Sequence, residues 1–164
     1  MPALSRTMTI EAPAERVFVY VDDIRNLARH MSERSSMPMM GSKLALEIVT
    51  PESTGVGATY RYAGRVMGLT IDFSETVTHY VPGREKVWRT IGQPRLIIID
   101  SYEMRVLVEP LGEARSRLTV SIDYTLPAIF PWHQLGQWLA ASYARWCLDS
   151  MVEGTKRDLE RGTA

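Results

Sequence analysis

Apolar residues follow a helical spacing near both ends of the chain and alternate with polar residues in between. Arg6–Glu11 alternates first, which predicts a half-buried strand. Pro13 then occupies a first-turn position, and the spacing that follows predicts a helix with a buried stripe of Val17, Phe18, Val21 and Ile24. The pair Asp22–Asp23 interrupts this helix, and Ile24–Met31 is predicted to form a second short helix.

The two-residue alternation is carried by six further segments: Leu44–Ile48, Ala58–Val66, Leu69–Val81, Glu85–Ile91, Leu96–Glu109 and Arg117–Leu126. Turn-forming residues separate several of them, at Gly68, Pro82–Gly83 and Gly92–Pro94. Consecutive strands with short connections favour an antiparallel sheet in which neighbours in sequence are neighbours in space.

The last long segment, Pro131–Arg161, returns to helical spacing and contains no further proline. One apolar stripe comprises Trp138, Ala141, Ala144, Leu148, Met151, Val152, Thr155 and Leu159, and a second group along the first half comprises Leu135, Leu139, Tyr143 and Trp146. A helix of this length needs a large covering surface. We therefore predict an α+β fold in which a curved seven-stranded antiparallel sheet wraps around the C-terminal helix, with two short helices after the first strand.

Composition narrows the class of protein. Lysine plus arginine equal aspartate plus glutamate at 19 each, and no basic stretch indicates a nucleic-acid surface. The single cysteine, Cys147, excludes an intrachain disulfide and fits a reducing compartment. No apolar run is long enough for a signal peptide or a membrane span. We therefore expect one cytoplasmic domain, residues 1–164, without integral membrane association.

The sequence carries no signature of a metal site or cofactor. His30, His79 and His133 lie far apart, without the spacing that places two ligands on one metal ion. The pair Gly55 and Gly57 precedes a strand but no helix, unlike a dinucleotide-binding loop. No nucleophile-elbow pattern occurs. We therefore expect neither a bound metal nor a cofactor.

One carboxylate lies in phase with apolar residues. Glu75 alternates in step with Leu69, Ile71, Phe73 and Val77 on the predicted inner face of its strand. Desolvation in an apolar cavity would raise the pKa of this carboxyl group and suit it to general acid–base chemistry. The alternative is that the strand bulges there, so that Glu75 pairs with Arg89 or Arg105 or reaches water.

Short motifs across the chain resemble those of the START-like helix-grip superfamily, which includes polyketide cyclase/dehydratases, coenzyme Q-binding proteins and plant pathogenesis-related ligand binders. At the N-terminus these are Ile10, Ala12, Pro13, Val17, Phe18 and Asp22. Further matches are Gly55–Gly57, the strand Leu118–Pro127 and the helix end from Val152 to Glu160. The resemblance implies a helix-grip fold that holds a hydrophobic ligand between the sheet and the last helix. Many relatives have an aromatic residue where this chain has His30, which implies a polar group at the pocket mouth and makes His30 a second catalytic candidate beside Glu75.

Candidate ligand-binding residues are inward-facing strand residues, one loop methionine and one helix residue: Tyr60, Tyr62, Phe73, Trp88, Tyr102, Met104, Tyr124, Met39 and Trp138. For any single aromatic residue the alternative is a role in filling the core. The methionine-rich segment Met37–Met40 is expected to cover the pocket as an adaptable lid.

We expect a protein that binds a hydrophobic small molecule such as a lipid, a quinone or a polyketide-like aromatic compound. The first alternative is a polyketide cyclase/dehydratase-type enzyme that uses the cavity carboxylate as a general acid or base. The second is an interaction module in which aromatics of the C-terminal helix dock on another protein or a membrane surface.

The first half of the C-terminal helix carries more aromatic surface than the sheet alone can cover, at Trp132, Trp138, Tyr143 and Trp146, so another surface is needed to cover it. Either the proline-rich lead-in provides it or a second subunit does, and a homodimer is favoured.

Overall fold

The computed structural model describes residues 3–29, 43–66, 68–96, 98–128 and 133–161. The elements in chain order are β1 (Ala3–Ile10), α1 (Ala14–Asp22), α2 (Ile24–Leu27), β2 (Lys43–Ile48), β3 (Thr59–Val66), β4 (Leu69–Val81), β5 (Glu85–Arg95), β6 (Ser101–Pro110), β7 (Ser116–Thr125) and α3 (His133–Arg161). The predicted fold is confirmed. Seven strands form one antiparallel sheet in the order β1-β7-β6-β5-β4-β3-β2.

The two short helices follow from local chemistry. Pro13 has an extended backbone and directly precedes α1, and Glu15 lies in the first turn, near the positive end of the helix dipole. Asp23 ends α1 with an extended backbone, and its Oδ1 accepts a hydrogen bond of 3.0 Å from the Arg25 amide at the start of α2. The predicted break at Asp22–Asp23 is therefore a helix cap.

The boundary between β5 and β6 corrects a prediction. The predicted turn at Gly92–Pro94 lies inside β5, which continues to Arg95. Opposite it, Ser74 of β4 pairs with Ile91 and Asp72 pairs with Arg95, so β5 bulges between these pairs. Gly92 has a positive φ of 70°, which only glycine adopts readily, and this accommodates the bulge. A glycine and a proline close together thus mark an irregular strand instead of its end.

The buried face of α3 is rotated from the predicted stripe over the first turns. Its buried residues include Ala140, Ala144, Leu148, Val152, Thr155 and Leu159. Trp138, predicted to belong to the covered stripe, is 65% exposed. It lies two residues, or about 200° around the helix, before Ala140 and therefore points away from the sheet.

The position of α3 over the sheet is asymmetric. It packs most closely on β1 and β7 and beside α1 and α2, whereas the described parts of β3 to β6 approach its backbone much less. At the near side, Arg6 of β1 forms an ion pair with Asp149 at 2.9 Å, and Lys156 donates to the Thr9 carbonyl at 3.2 Å. The inward side chains of β3 to β6 therefore face the wider part of the interior.

Candidate functional site: the inner face of the sheet

Aromatic side chains from four adjacent strands line the wider part of the interior. Tyr62 of β3 stacks on Phe73 of β4, with ring centroids 4.7 Å apart and planes 13° from parallel. The Phe73 ring in turn meets the edge of Tyr102 of β6 at 6.2 Å. Trp88 of β5 is buried beside Met104, its register partner on β6. Alternation therefore directs these predicted ligand-binding residues to one face.

Glu75 lies among these rings. It is 2% exposed, and its Oε1 accepts a hydrogen bond from the Tyr102 hydroxyl. Its Oε2 is covered and has no hydrogen-bond partner among the described residues. The arginines considered as alternative partners, Arg89 and Arg105, are both exposed, and Arg105 pairs with Glu85 at 2.6 Å. The strand alternation at Glu75 is thus regular, and the carboxylate is held inside the molecule.

The surroundings of Glu75 change its acidity. The net pKa of its carboxyl group is raised from 4.5 to about 7, and burial is the largest cause, because a charge is poorly solvated away from water. The Tyr102 hydrogen bond, the positive charge of Lys86 and the nearby polar groups of Trp88 and Tyr62 lower the pKa and partly offset this rise. The carboxyl group therefore changes its charge near neutral pH.

A buried lysine beside this site was missed by the sequence analysis. Lys86 is 1% exposed, and its Nζ donates to the Asp22 carbonyl at 2.7 Å and to the Tyr60 hydroxyl at 3.2 Å. The same nitrogen is 3.1 Å from Asp22 Oδ1 and lies over the rings of Tyr60 and Trp88, at 5.3 and 5.8 Å from their centroids. Burial lowers the pKa of the Lys86 ammonium, although Asp22 opposes this. The available signal was its phase, because Lys86 alternates with Trp88 on β5.

Asp22, the partner of Lys86, also lines an outer cleft of about 480 Å³. This cleft lies between α1, the loop at Ser53–Thr54 and the turn at Gly83. Asp22 belongs to both sites, since its Oδ2 accepts a hydrogen bond of 2.6 Å from the Tyr80 hydroxyl in the cleft wall. This cleft is distinct from the predicted space under α3.

Two residues show incomplete cover deep in the structure. Tyr102 lies on β6 and Tyr143 on α3, and Tyr143 raises the pKa of Tyr102. Both retain solvent-accessible surface, unlike the neighbouring Tyr62 and Phe73, which are buried. Tyr102 and Tyr143 are therefore less completely covered than these two neighbouring rings.

The remaining predicted site residues lie in several different parts of the molecule. Tyr124 is buried opposite Tyr102 in the β6–β7 register. Trp138 is exposed, as is Leu135 one turn earlier on the helix, so neither joins the inner face. His30 and Met39, with the rest of the methionine-rich segment, lie outside the described residues. The homodimer and the interaction surface stay predictions.

The described residues also bear on metal binding and membrane insertion. No group of three or more His, Cys, Asp or Glu side chains in those ranges is placed to hold a metal ion. No helix in the described part of the chain combines the length and hydropathy that a membrane span requires.

Comparisons with solved structures support the fold. A protein from Thermus thermophilus is 20% identical, with a TM-score of 0.71 over 99% of this chain and 100% of the other. A START superfamily protein from Mycobacterium smegmatis is 18% identical, with a TM-score of 0.64 over 96% and 98%. The Zhui aromatase/cyclase from Streptomyces sp. R1128 is 19% identical, with a TM-score of 0.62 over 99% and 96%. At these identities the likeness concerns the fold.

A search of curated proteins found no significant match. The model of one family, described as polyketide cyclase/dehydrase and lipid transport, matches residues 1–160. Family and fold together fit a protein that binds a hydrophobic ligand or acts as a polyketide cyclase. With almost its whole length matched, the chain belongs to the polyketide cyclase/dehydrase and lipid transport family.

Proposed function

We propose that this protein binds a hydrophobic small molecule, such as a lipid, a quinone or a polyketide-like aromatic compound, between the inner face of the sheet and α3. The observation that carries the proposal is the accessible surface of Tyr102 and Tyr143 beside neighbouring aromatic rings that are buried. A space with apolar walls and few polar groups suits an apolar ligand, because its transfer from water releases hydration.

The chemistry of the walls indicates the shape of the ligand. The stacked pair Tyr62 and Phe73 and the edge of Tyr102 supply flat aromatic surfaces. Such surfaces favour offset stacked or edge-to-face packing with a ligand ring. Hydrogen-bonding groups are concentrated at Glu75 and Tyr102. The ligand that fits is mostly apolar, with one polar group directed toward Tyr102.

The test is binding of 2-methoxynaphthalene, a small aromatic probe, measured by calorimetry and by ligand–protein nuclear Overhauser effects. We expect saturable binding with contacts to the ring protons of Tyr102. Phe73→Leu should weaken binding roughly fivefold, since an aromatic pair contributes about 1 kcal/mol beyond area burial. The control Trp138→Ala, on the exposed side of α3, should leave affinity unchanged. Absence of binding, or contacts confined to Trp138, would contradict the proposal.

Proton transfer by Glu75 is the second candidate function, and the observation in its favour is the pKa of about 7. Geometry favours binding over catalysis. Glu75 Oε1 is occupied by Tyr102, and Oε2 is covered. A general base must lie within hydrogen-bond reach of the proton that it removes.

The two functions differ in their response to a ketone with acidic protons. We expect that the wild-type protein binds 2-tetralone but does not accelerate deuterium exchange at the carbon next to its carbonyl, as followed by NMR in D₂O. Glu75→Gln should give the same exchange rate. An acceleration of about 10²-fold in the wild type that Glu75→Gln abolishes would establish the enzyme instead.

A further inference from the structure

The Tyr102 hydroxyl uses its only hydrogen in the hydrogen bond to Glu75. An ionised carboxylate can only accept hydrogen bonds, so the contact between Tyr102 and Glu75 Oε1 uses the tyrosine hydrogen. The phenol keeps that hydrogen, because burial and the neighbouring Glu75 charge raise the pKa of Tyr102 well above its usual value. Toward the space beside it, the Tyr102 oxygen can then offer only lone pairs.

The other polar groups around this point are also engaged. The Tyr60 hydroxyl of β3 donates to the Ser53 carbonyl at 2.6 Å and accepts from Lys86. The Tyr62 hydroxyl lies near the Glu75 carboxylate and lowers its pKa. On α3, the Tyr143 hydroxyl interacts with the Cys147 thiol. In this arrangement, none of these hydroxyl groups has a free hydrogen to donate to a ligand.

We infer that the Tyr102–Glu75 pair makes the site selective for hydrophobic molecules that carry a hydrogen-bond donor, such as an aromatic hydroxyl, over those whose only polar atoms are ether or carbonyl oxygens. The inference rests on the proposed function and specifies its ligand class. A ligand hydroxyl donates to a Tyr102 oxygen that is polarised by the carboxylate behind it. A ligand carbonyl at the same place meets lone pairs and finds no free donor among the tyrosine hydroxyls named above.

Glu75 acts through Tyr102 in this arrangement and is a positioning residue. When Glu75 is protonated, its own O–H can donate to the Tyr102 oxygen and free the tyrosine hydrogen to turn toward the ligand. The preference for donors therefore weakens as the pH falls below that at which Glu75 ionises. In the described part of the chain, the charged or titratable groups facing Glu75 are Tyr60 and Tyr62 from β3, Lys86 from β5 and Tyr102 from β6, with Tyr143 of α3 beyond Tyr102.

The experiment compares 2-naphthol with 2-methoxynaphthalene, two probes of the same ring system that differ in the donor hydrogen. At about pH 8, where the carboxylate form of Glu75 dominates, the wild type should bind 2-naphthol roughly fivefold to tenfold more tightly. At about pH 5.5 the ratio should fall toward one. Tyr102→Phe should abolish the preference while retaining affinity for 2-methoxynaphthalene. Glu75→Gln should reduce the preference and remove its pH dependence.

The matched control is Tyr20→Phe, which removes a tyrosine hydroxyl on α1 that donates to Asp158 of α3 and should preserve the wild-type ratio. Equal binding of both probes by the wild type at about pH 8 would overturn the inference and leave the proposed function standing. A preference that survives in Tyr102→Phe would overturn the assignment to this pair. If the wild type bound neither probe, the proposed function would fail and this inference with it.

Discussion

Lys86→Met is expected to lower the free energy of unfolding by about 3 to 5 kcal/mol, the cost that follows from removing one partner of a buried ion pair. Lys86 and Asp22 are both buried, and the ammonium also satisfies the Asp22 backbone carbonyl. Methionine has a similar length, so the packing against Tyr60 and Trp88 is largely kept. The decrease in the free energy of unfolding therefore measures the cost of the unpaired charge on Asp22 and of losing the hydrogen bonds that Lys86 made.

The structure provides a matched control for this effect. Arg61 on β3 pairs with Asp72 on β4 at 2.8 Å, but both side chains are exposed. Arg61→Met should lower the free energy of unfolding far less than Lys86→Met, because water solvates the remaining carboxylate. Urea unfolding of both variants measures the difference. If Lys86→Met and Arg61→Met lowered the free energy of unfolding equally, the buried Lys86–Asp22 pair would not stabilise the fold as expected.

A second variant separates charge from packing. Adding Asp22→Asn to Lys86→Met removes the unpaired negative charge while keeping an oxygen for the Tyr80 hydroxyl. The double variant should recover about half of the lost stability, since the desolvated charge is the larger part of the cost. If Asp22→Asn lowered stability further in that background, the cost would come from packing.

Glu75→Gln is expected to make the protein more stable than the wild type at neutral pH, by an amount that depends on pH. The folded-state pKa of Glu75 is raised from 4.5 to about 7, so between these values the native protein keeps a proton that the unfolded chain releases. The stabilisation from this protonation is fully present below about pH 4.5 and is lost as the pH rises through about 7. Over this window wild-type stability should fall by about 3 kcal/mol, a cost that glutamine does not incur.

The measurement is the free energy of unfolding in urea at several pH values between about 4 and 8. The difference between Glu75→Gln and the wild type should grow with pH across this window. Thr90→Val, at the position opposite Glu75 on β5, changes no charge and should differ from the wild type by a constant amount. A difference for Glu75→Gln that shrinks as the pH rises would show that the ionised carboxylate is the form favoured by the folded state.

Much of the fold was predictable because it depends on local periodicity. The alternation around Phe73 and Glu75 places both on one face whatever the rest of the sheet does, since successive side chains on a strand point to opposite sides. The helical spacing after Pro131 and the absence of further proline similarly predicted a long helix, and the structure has one over His133–Arg161. Local chemistry also placed the break after Asp22.

Tertiary contacts decided the remaining features. Whether Gly92 ends a strand or forms a bulge depends on what its neighbour strand pairs with, and here β4 continues alongside. The exposed side of α3 depends on which strands it packs against, so periodicity alone could not exclude Trp138 from the covered stripe.

The sequence by itself determined which side chains share the inner face, because the period of a strand is a property of the backbone. It could not assign Lys86 to Asp22, which lies 64 positions earlier in the chain, since ion pairing depends on distance in space. The same reason applies to the contact between Glu75 and Tyr102. Only the folded chain brings β4 and β6 to either side of β5, and only there does the carboxylate acquire its buried surroundings and its raised pKa.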